Sequence, residues 1–564
     1  MRARTVIVVA LVGVAGYFGW KHRDQLSRVT DRAGDGIELP VVPRERPDPD
    51  EAIPRTPLSG PNGAEVELTL LHPPAAMYAG LDDDDDADET YRGLVEAMRA
   101  PNTRYDRDLS RAAREVAYQS ALLGEAPPEA AMGFLLNASG AVETNALQFL
   151  MHTNVDDSRS IRRTIEGALA RPLRGEGVVR IGVGEVETPG EKHTHHIAVL
   201  VTRRAYTIEP TPRSAPLRGT WALRGTLPPG YTDATASALY PDGRIASLEL
   251  ERDGDGFAIE LPTGDVAGTV EVSIGGSDRN GPGKLLQLGV EVGHQPPRTM
   301  TIVVPPADPK LPTIEAAEAH ALALLNADRV RFGLPALIGD PELAKIARHH
   351  SEEMRDRGYF AHRSPTTGLS SDRLAAARYR STSSAENIAL NDSLTEAEVS
   401  LLGSIGHRRN ILSPALTHVG IGVARATTGE HSDWHLTQLF ATPVEIIDID
   451  KVAAELFVEV NLARVEAGVP AVRPDATLSS IAQRNAGTAA DGRLEGLAQL
   501  VVADLREVDD RAAGVSVQAV YTLDQFDVPS TALLPDVTAV GLGVLQSDDD
   551  LHGRIGVVLI GARE

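Results

Sequence analysis

The chain has 564 residues, 79 acidic and 55 basic, for a net charge of -24 at neutral pH, with 4% aromatic residues and no cysteine. That length exceeds what one hydrophobic core serves and points to several domains, and the negative charge repels phosphate backbones, so nucleic acid is not an expected partner. Without cysteine the chain has no disulfide, thiolate metal site, cysteine nucleophile or lipoprotein anchor.

Arg2 and Arg4 precede the apolar run TVIVVALVGVAGYFGW, residues 5 to 20, and Lys21 and Arg23 follow it. At about 1.5 Å per residue the run is roughly 24 Å long, short for a spanning helix and long for a signal core. Tyr17, Phe18 and Trp20 stand where a cleavage site needs small residues. Residues 1–23 therefore read as a signal anchor, with a cleaved signal peptide as the alternative. The expected location is the cell membrane, single-pass, with the bulk of the chain exported to the periplasm or the exterior; secretion is the alternative. Residues 24–88 read as a linker, because prolines among charges from Pro40 to Pro61 disfavour packing. The run Asp82 to Asp86 lacks the glycine-punctuated pattern of a calcium loop and reads as solvated.

From residue 89 to 210 the pattern is helical and then strand-like, RYDRDLSRAAREVAYQSALLG preceding VRIGVGEVETPG and HIAVLVTRR. His193, His195 and His196 fall at the turn between those strands and read as a surface cluster. Residues 211–307 hold short alternating runs separated by Pro-Asp-Gly, Asp-Gly-Asp-Gly and Asn-Gly-Pro-Gly turns, among them GTWALRGTLP, GFAIELP, GTVEVSIGG and RTMTIVV. About seven strands in some 95 residues predict an immunoglobulin-like β-sandwich with no catalytic constellation.

Residues 313–445 mix helix and strand. A helix starts at Thr313, with Ala317, Ala321, Leu324 and Leu325 at helical spacing, and stops at Gly333. A second is capped by Asp340, starts at Pro341 and carries Leu343, Ile346, Ala347, His350 and Met354 on one face up to Gly358. His350 is thereby a core residue and not a ligand. Thr395 and Glu398 read as a capping box opening a third helix, and THVGIGV and WHLTQLFA as a hairpin turning at Gly429. Between these elements stand His362 in YFAHRSP, Glu386 in AENIAL and His407 in GHRRNIL, which only folding can bring together.

Those motifs, with LLNADRVRFGLPAL, resemble the bacterial branch of the CAP superfamily, which groups cysteine-rich secretory, antigen 5 and pathogenesis-related proteins. The resemblance implies an α-β-α sandwich whose groove is lined in many members by two histidines and two acids that can hold zinc. Carried over by motif, the metal residues are His362, Glu386 and His407; the second acid falls on Ser404, so zinc needs a water or another acid such as Glu396 or Glu398. Two further stretches echo this one. ELFVEVNLARVEAGVPAVRPDATLSSIAQRNA places Asn461, Arg464, Gly468, Pro470 and Asp475 opposite Asn326, Arg329, Gly333, Pro335 and Asp340, and Gly541 and Gly543 match Gly420 and Gly422. Residues 447–564 are expected to be a degenerate copy without the site, and residues 89–210 a divergent one, with Asp106, Gly182 and Gly184 in the matching places.

The expected fold class is α+β: a CAP-like sandwich with degenerate copies, an Ig-like β-sandwich and a signal anchor. The expected function is an exported, membrane-anchored binding or scaffold module of the cell envelope, with a divalent-metal site in the central groove and an envelope component or small apolar molecule as partner. The alternative is a metal-assisted hydrolase with Glu386 as base on zinc-bound water. Ser364 and Ser404 lie near the histidines, but neither sits in a nucleophile elbow. No catalytic residue is assigned.

Overall fold

A computed structural model describes residues 64–564 apart from 80–90, 94, 96–101, 144–145, 154–162, 164–165, 167–176, 189–194, 429–430, 507–511, 549, 551 and 564. The expected signal anchor, the acidic run, His193 and the Gly429 turn lie outside the described residues. Among those described, no helix is long and apolar enough to cross a membrane. The chain divides into two compact units. One gathers residues up to Leu369 with Ala385–Pro414 and Gly420–Leu439; the other holds Ser370–Ser384, Ala415–Val419 and Phe440–Glu564.

Three four-stranded sheets repeat one order. In the central module it runs Ile338–Gly339, His418–Thr428, His431–Pro443, Ser381–Asn391. In the last it runs Arg473–Pro474, Val537–Gln546, Ile555–Arg563, Ala512–Val520, and in the first Thr103–Tyr105, Val178–Glu187, His195–Arg204, Leu147–Thr153. Each sheet receives a helix on a pair of glycines. A Cβ at Gly420 or Gly422 would collide with the backbone of helix Pro341–Arg357, one at Gly541 or Gly543 with helix Ala476–Ala490, and one at Gly182 or Gly184 with helix Arg107–Leu123. The missing side chains let each helix lie directly on its strand.

The same local chemistry starts these helices. The Asp340 carboxylate accepts from Glu342 N and Leu343 N at 2.8 and 3.0 Å, Asp475 accepts from Thr477 N and Leu478 N, and Asp106 from Leu109 N. Gly358, in the left-handed region at φ 61°, ends Pro341–Arg357, whose buried stripe is Leu343, Ala347, His350 and Met354. Ahead of each of the last two sheets an arginine is buried inside its module. Arg329 Nε donates to Pro335 O at 2.9 Å and its Nη1 to Ile411 O and Ser413 O at 2.7 and 2.9 Å. Arg464 binds Pro470 O, Ala532 O, Leu534 O and Val537 O in the same manner.

Residues 207–292 form two sheets, one of four strands including Thr220–Thr226 and Gly256–Pro262, one of five including Thr232–Leu239, Gly268–Asp278 and Gly281–Val292. Trp221, Leu223, Ile259, Val272, Ile274, Leu286 and Leu288 meet in one core drawn from both. Two expectations need correction. RTMTIVV does not join these sheets: Thr299–Val304 pairs antiparallel with Ala64–Thr69, in the stretch expected to be linker. Its Ile302, with Leu68 and Leu70, is buried against Leu109, Ala112 and Val116 of the first module. The alternation of Val66, Leu68 and Leu70 was masked by the prolines before it. Tyr78, in the short strand Met77–Tyr78, is likewise fully buried.

Candidate functional site

The loop that carries His362 follows the helix ending at Gly358 and is pinned to that helix by Glu353. Ser364 Oγ donates to Glu353 Oε2 at 2.6 Å, Tyr359 OH to Oε2 at 3.2 Å, and Thr366 Oγ1 to Oε1 at 2.5 Å. Burial pushes the Glu353 carboxyl up, and these donors more than offset it, leaving its pKa below the usual range. Ser364 also accepts from Thr366 N and Thr367 N, so its hydroxyl holds a turn together. The fully buried His350 sends Nε2 to within 3.1 Å of Ala361 O, bracing the same loop from below.

His362 meets Glu386 from strand Ser381–Asn391: Nδ1 lies 2.9 Å from Oε1, with the two side chains 13% and 3% exposed. The next residue, Asn387, opens a buried polar ladder. Its Nδ2 donates to Gln438 Oε1 at 3.0 Å and its Oδ1 accepts from Asn410 Nδ2 at 2.8 Å, while Gln438 Nε2 donates to Glu398 Oε2 at 2.6 Å. Burial pushes the Glu398 carboxyl up to about 8, and the charge of Asp328 adds to the effect. In the last module, strands Val537–Gln546 and Ile555–Arg563 send Val540, Leu542, Val544, Ile555, Val557 and Leu559 into one apolar cluster.

His407 enters from the short helix Ile405–Ile411 and is half-buried. Burial, with the charges of His362 and Lys284, pushes its pKa down to about 3, so the imidazole is neutral at physiological pH. Lys284 belongs to the five-stranded sheet, and its hairpin packs on the His362 loop. Asn280 O accepts from Arg363 N at 2.8 Å, Gln287 Nε2 donates to Gly403 O at 3.0 Å, and a Cβ on Gly281 would lie 3.2 Å from that of His362.

Ser404, at the position of the second acid, is 4% exposed and joins helix Leu394–Gly403 to Ile405–Ile411. The expected capping box is displaced: Ser393 caps that helix through Glu396 N, Thr395 binds Asp308, and Glu398 turns inward to Gln438. Among the described residues, the group of three acid or imidazole side chains that brings one ligand atom apiece within 4.8 Å of the others is Glu185, Glu187 and His195, not the central trio.

The reading of His195 and His196 as a surface cluster is corrected by the same region. His195 Nδ1 lies 2.6 Å from Glu185 Oε1, Glu185 also accepts from Tyr91 OH, and the register sets Glu187 opposite His195. His196 is 6% exposed and lies on the other face, its Nδ1 2.8 Å from His152 Nδ1 and its Nε2 2.9 Å from Thr188 Oγ1. The alternation of Glu185 and Glu187 two strand positions apart was the available signal, and it becomes readable once the hairpin register is known.

The family profile of the cysteine-rich secretory proteins, CAP, matches residues 322–440. That stretch is a CAP domain. The chain is 39% identical over 111 residues to "Uncharacterized protein YkwD" of Bacillus subtilis, spanning 20% of this chain and 43% of that protein. It is 39% identical over 110 residues to "Uncharacterized membrane protein YlbC" of the same organism, spanning 19% and 32%. The match thus covers less than half the length of either relative. Among solved structures, an extracellular SCP-domain protein of Bacillus anthracis aligns at 23% identity and TM-score 0.21, over 39% of this chain and 77% of that one. A cysteine-rich secretory protein of Staphylococcus aureus aligns at 12% identity and TM-score 0.19, over 43% and 78%.

Proposed function

We propose that the chain is an exported, membrane-anchored binding module of the cell envelope, in which the CAP domain groove around His362, Glu386 and His407 takes the ligand. Residues 447–564 and 89–210 are read as copies of the CAP fold that serve as scaffold, and 207–292 as an Ig-like β-sandwich spacer. The observation that carries this reading is the commitment of the polar side chains to one another. His362 is tied to Glu386, and Asn387, Gln438, Asn410 and Glu398 form one buried ladder behind them. The arrangement makes a shaped polar wall behind the His362–Glu386 pair, its members hydrogen-bonded to one another.

Zinc fits this set poorly. Glu386 occupies Nδ1 of His362, so the histidine offers Nε2 alone and Glu386 acts as its orienting partner. With His407 that makes two imidazoles, one short of the three protein ligands of a catalytic zinc, and the Lys284 charge opposes a cation. Calorimetric titration of zinc into the full chain and its His407→Ala variant separates the readings. Heat of binding that survives His407→Ala, or no heat at all, fits the metal-free groove. Stoichiometric zinc lost in both His362→Ala and His407→Ala establishes the metal-assisted alternative. Sedimentation with isolated envelope fractions tests the module itself: wild type is retained without release of soluble fragments, and His362→Ala with His407→Ala is not.

A further inference from the structure

In the first module, one face of the paired strands Val178–Glu187 and His195–Arg204 changes character at its end. Ile181 stands opposite Val201 and Val183 opposite Val199, and these side chains are buried with Tyr91 and Ile197 in one apolar cluster. Alternation carries the same face on to Glu185, opposite Ile197, and then to Glu187, opposite His195. Two carboxylates and an imidazole thus close a face that is otherwise apolar.

Their geometry suits a single ion. Glu185, Glu187 and His195 each bring one ligand atom within 4.8 Å of the other two. His195 Nδ1 lies 2.6 Å from Glu185 Oε1, a contact that takes a proton between them, and Tyr91 OH donates to Oε2 of the same carboxylate. Ligand atoms around a tetrahedral zinc lie about 3.4 Å apart, so the pair has to open only slightly for an ion to replace that proton. There is room for one. The side chains of His195 and Glu185 are 16% and 25% exposed and Glu187 is exposed, so an ion reaches the group from solvent and keeps water on its open side. On the other side Ile197 and Tyr91 belong to the buried apolar cluster, and a dry edge of that kind strengthens attraction between ion and ligands.

We propose that Glu185, Glu187 and His195 bind a divalent transition-metal ion of the zinc class, with water completing its coordination, and that Tyr91 is the positioning residue for Glu185. The imidazole sets the choice of metal, since calcium and magnesium favour oxygen ligands alone. With two ligands on one strand and one on its neighbour, the ion ties the strands together where they part. The site shares no residue with the groove around His362, Glu386 and His407, so the two are told apart by which imidazole the metal follows.

The test titrates zinc chloride, by calorimetry, into the full chain carrying His362→Ala and His407→Ala, which removes the groove imidazoles. One ion per chain is expected to bind. Tyr91→Phe, which keeps the ring, is expected to weaken binding roughly 10–100-fold, and Glu187→Gln or His195→Ala by more. Calcium chloride is expected to give no heat. The site is overturned by the absence of zinc heat, by zinc heat that Glu187→Gln and His195→Ala leave unchanged, or by calcium binding as tightly as zinc; Tyr91→Phe without effect overturns the positioning role. Should the groove variants fail to fold, the series is run on the otherwise wild-type chain. There Glu187→Gln, a change at an exposed position, is expected to lower the zinc stoichiometry by one, and an undiminished stoichiometry overturns the site.

Discussion

His362 Nδ1 and Glu386 Oε1 lie 2.9 Å apart, joining a loop and a strand that are 24 residues apart in the chain. A carboxylate at that distance favours the tautomer with its proton on Nδ1. Removing it in Glu386→Ala leaves a largely buried imidazole nitrogen without its acceptor, at a cost of about 1–3 kcal/mol by chemical denaturation. Glu386→Gln keeps an acceptor and is expected to lose less. Equal losses for the two would mean that shape, not the hydrogen bond, holds the pair.

His407 gives the CAP domain a pH dependence of known sign. Its folded pKa of about 3 lies below the 6.5 of the unfolded chain, so the unfolded state binds the extra proton first. Stability is full above about pH 6.5 and falls as pH drops toward 3. From pH 7 to pH 5 the loss is on the order of 2 kcal/mol. His407→Leu is expected to flatten that limb of the stability curve. An unchanged slope would show that His407 titrates normally in the fold.

Glu398 acts in the opposite direction. Its folded pKa of about 8 exceeds the model-compound 4.5, so the contribution is present below about pH 4.5 and disappears as pH rises through 8. Glu398→Gln keeps the hydrogen-bonding shape beside Gln438 and removes the titration. The variant is expected to gain stability relative to wild type between pH 6 and pH 9, read from denaturant midpoints across that range; a constant offset would contradict the assignment.

Gly281 decides whether the β-sheet hairpin can rest on the His362 loop. At φ 101° it occupies a conformation that side chains avoid, and a Cβ there would lie 3.0 Å from Leu369 Cδ2 and 3.3 Å from Arg363 N. Gly281→Val is expected to cost about 1–3 kcal/mol and to increase amide exchange at Arg363, whose N–H donates to Asn280 O. Protection at Arg363 equal to wild type would show that the hairpin is not held against the loop.

The parts of the fold that chain chemistry sets locally were legible in advance. Asp340, Pro341 and Gly358 bound their helix, the glycine pairs mark where helix meets strand, and the buried place of His350 follows from helical spacing. What sequence hid depends on partners far along the chain. Arg329 and Arg408 look like surface charges in a helix pattern and are wholly buried, since only tertiary carbonyls or an aromatic ring decide that. The contribution of Lys284 to His407 comes from a different sheet, so no motif around the histidine could announce it. Ser404 was readable as a departure from the acidic pattern, but its place as the joint between two helices was not.

The reach of Arg329 sets where this protein can be cut. Its Nη1 binds Ile411 O and Ser413 O, 82 and 84 positions downstream, so the first helix of the CAP domain is completed by the loop after His407. A fragment ending before Ile411 keeps the arginine interred and takes away its acceptors, and one starting after Arg329 exposes those carbonyls instead. Excision for separate study must therefore retain everything from Thr313 through Ser413 and the sheet that follows, and protease-resistant fragments of the native chain are expected to share those ends.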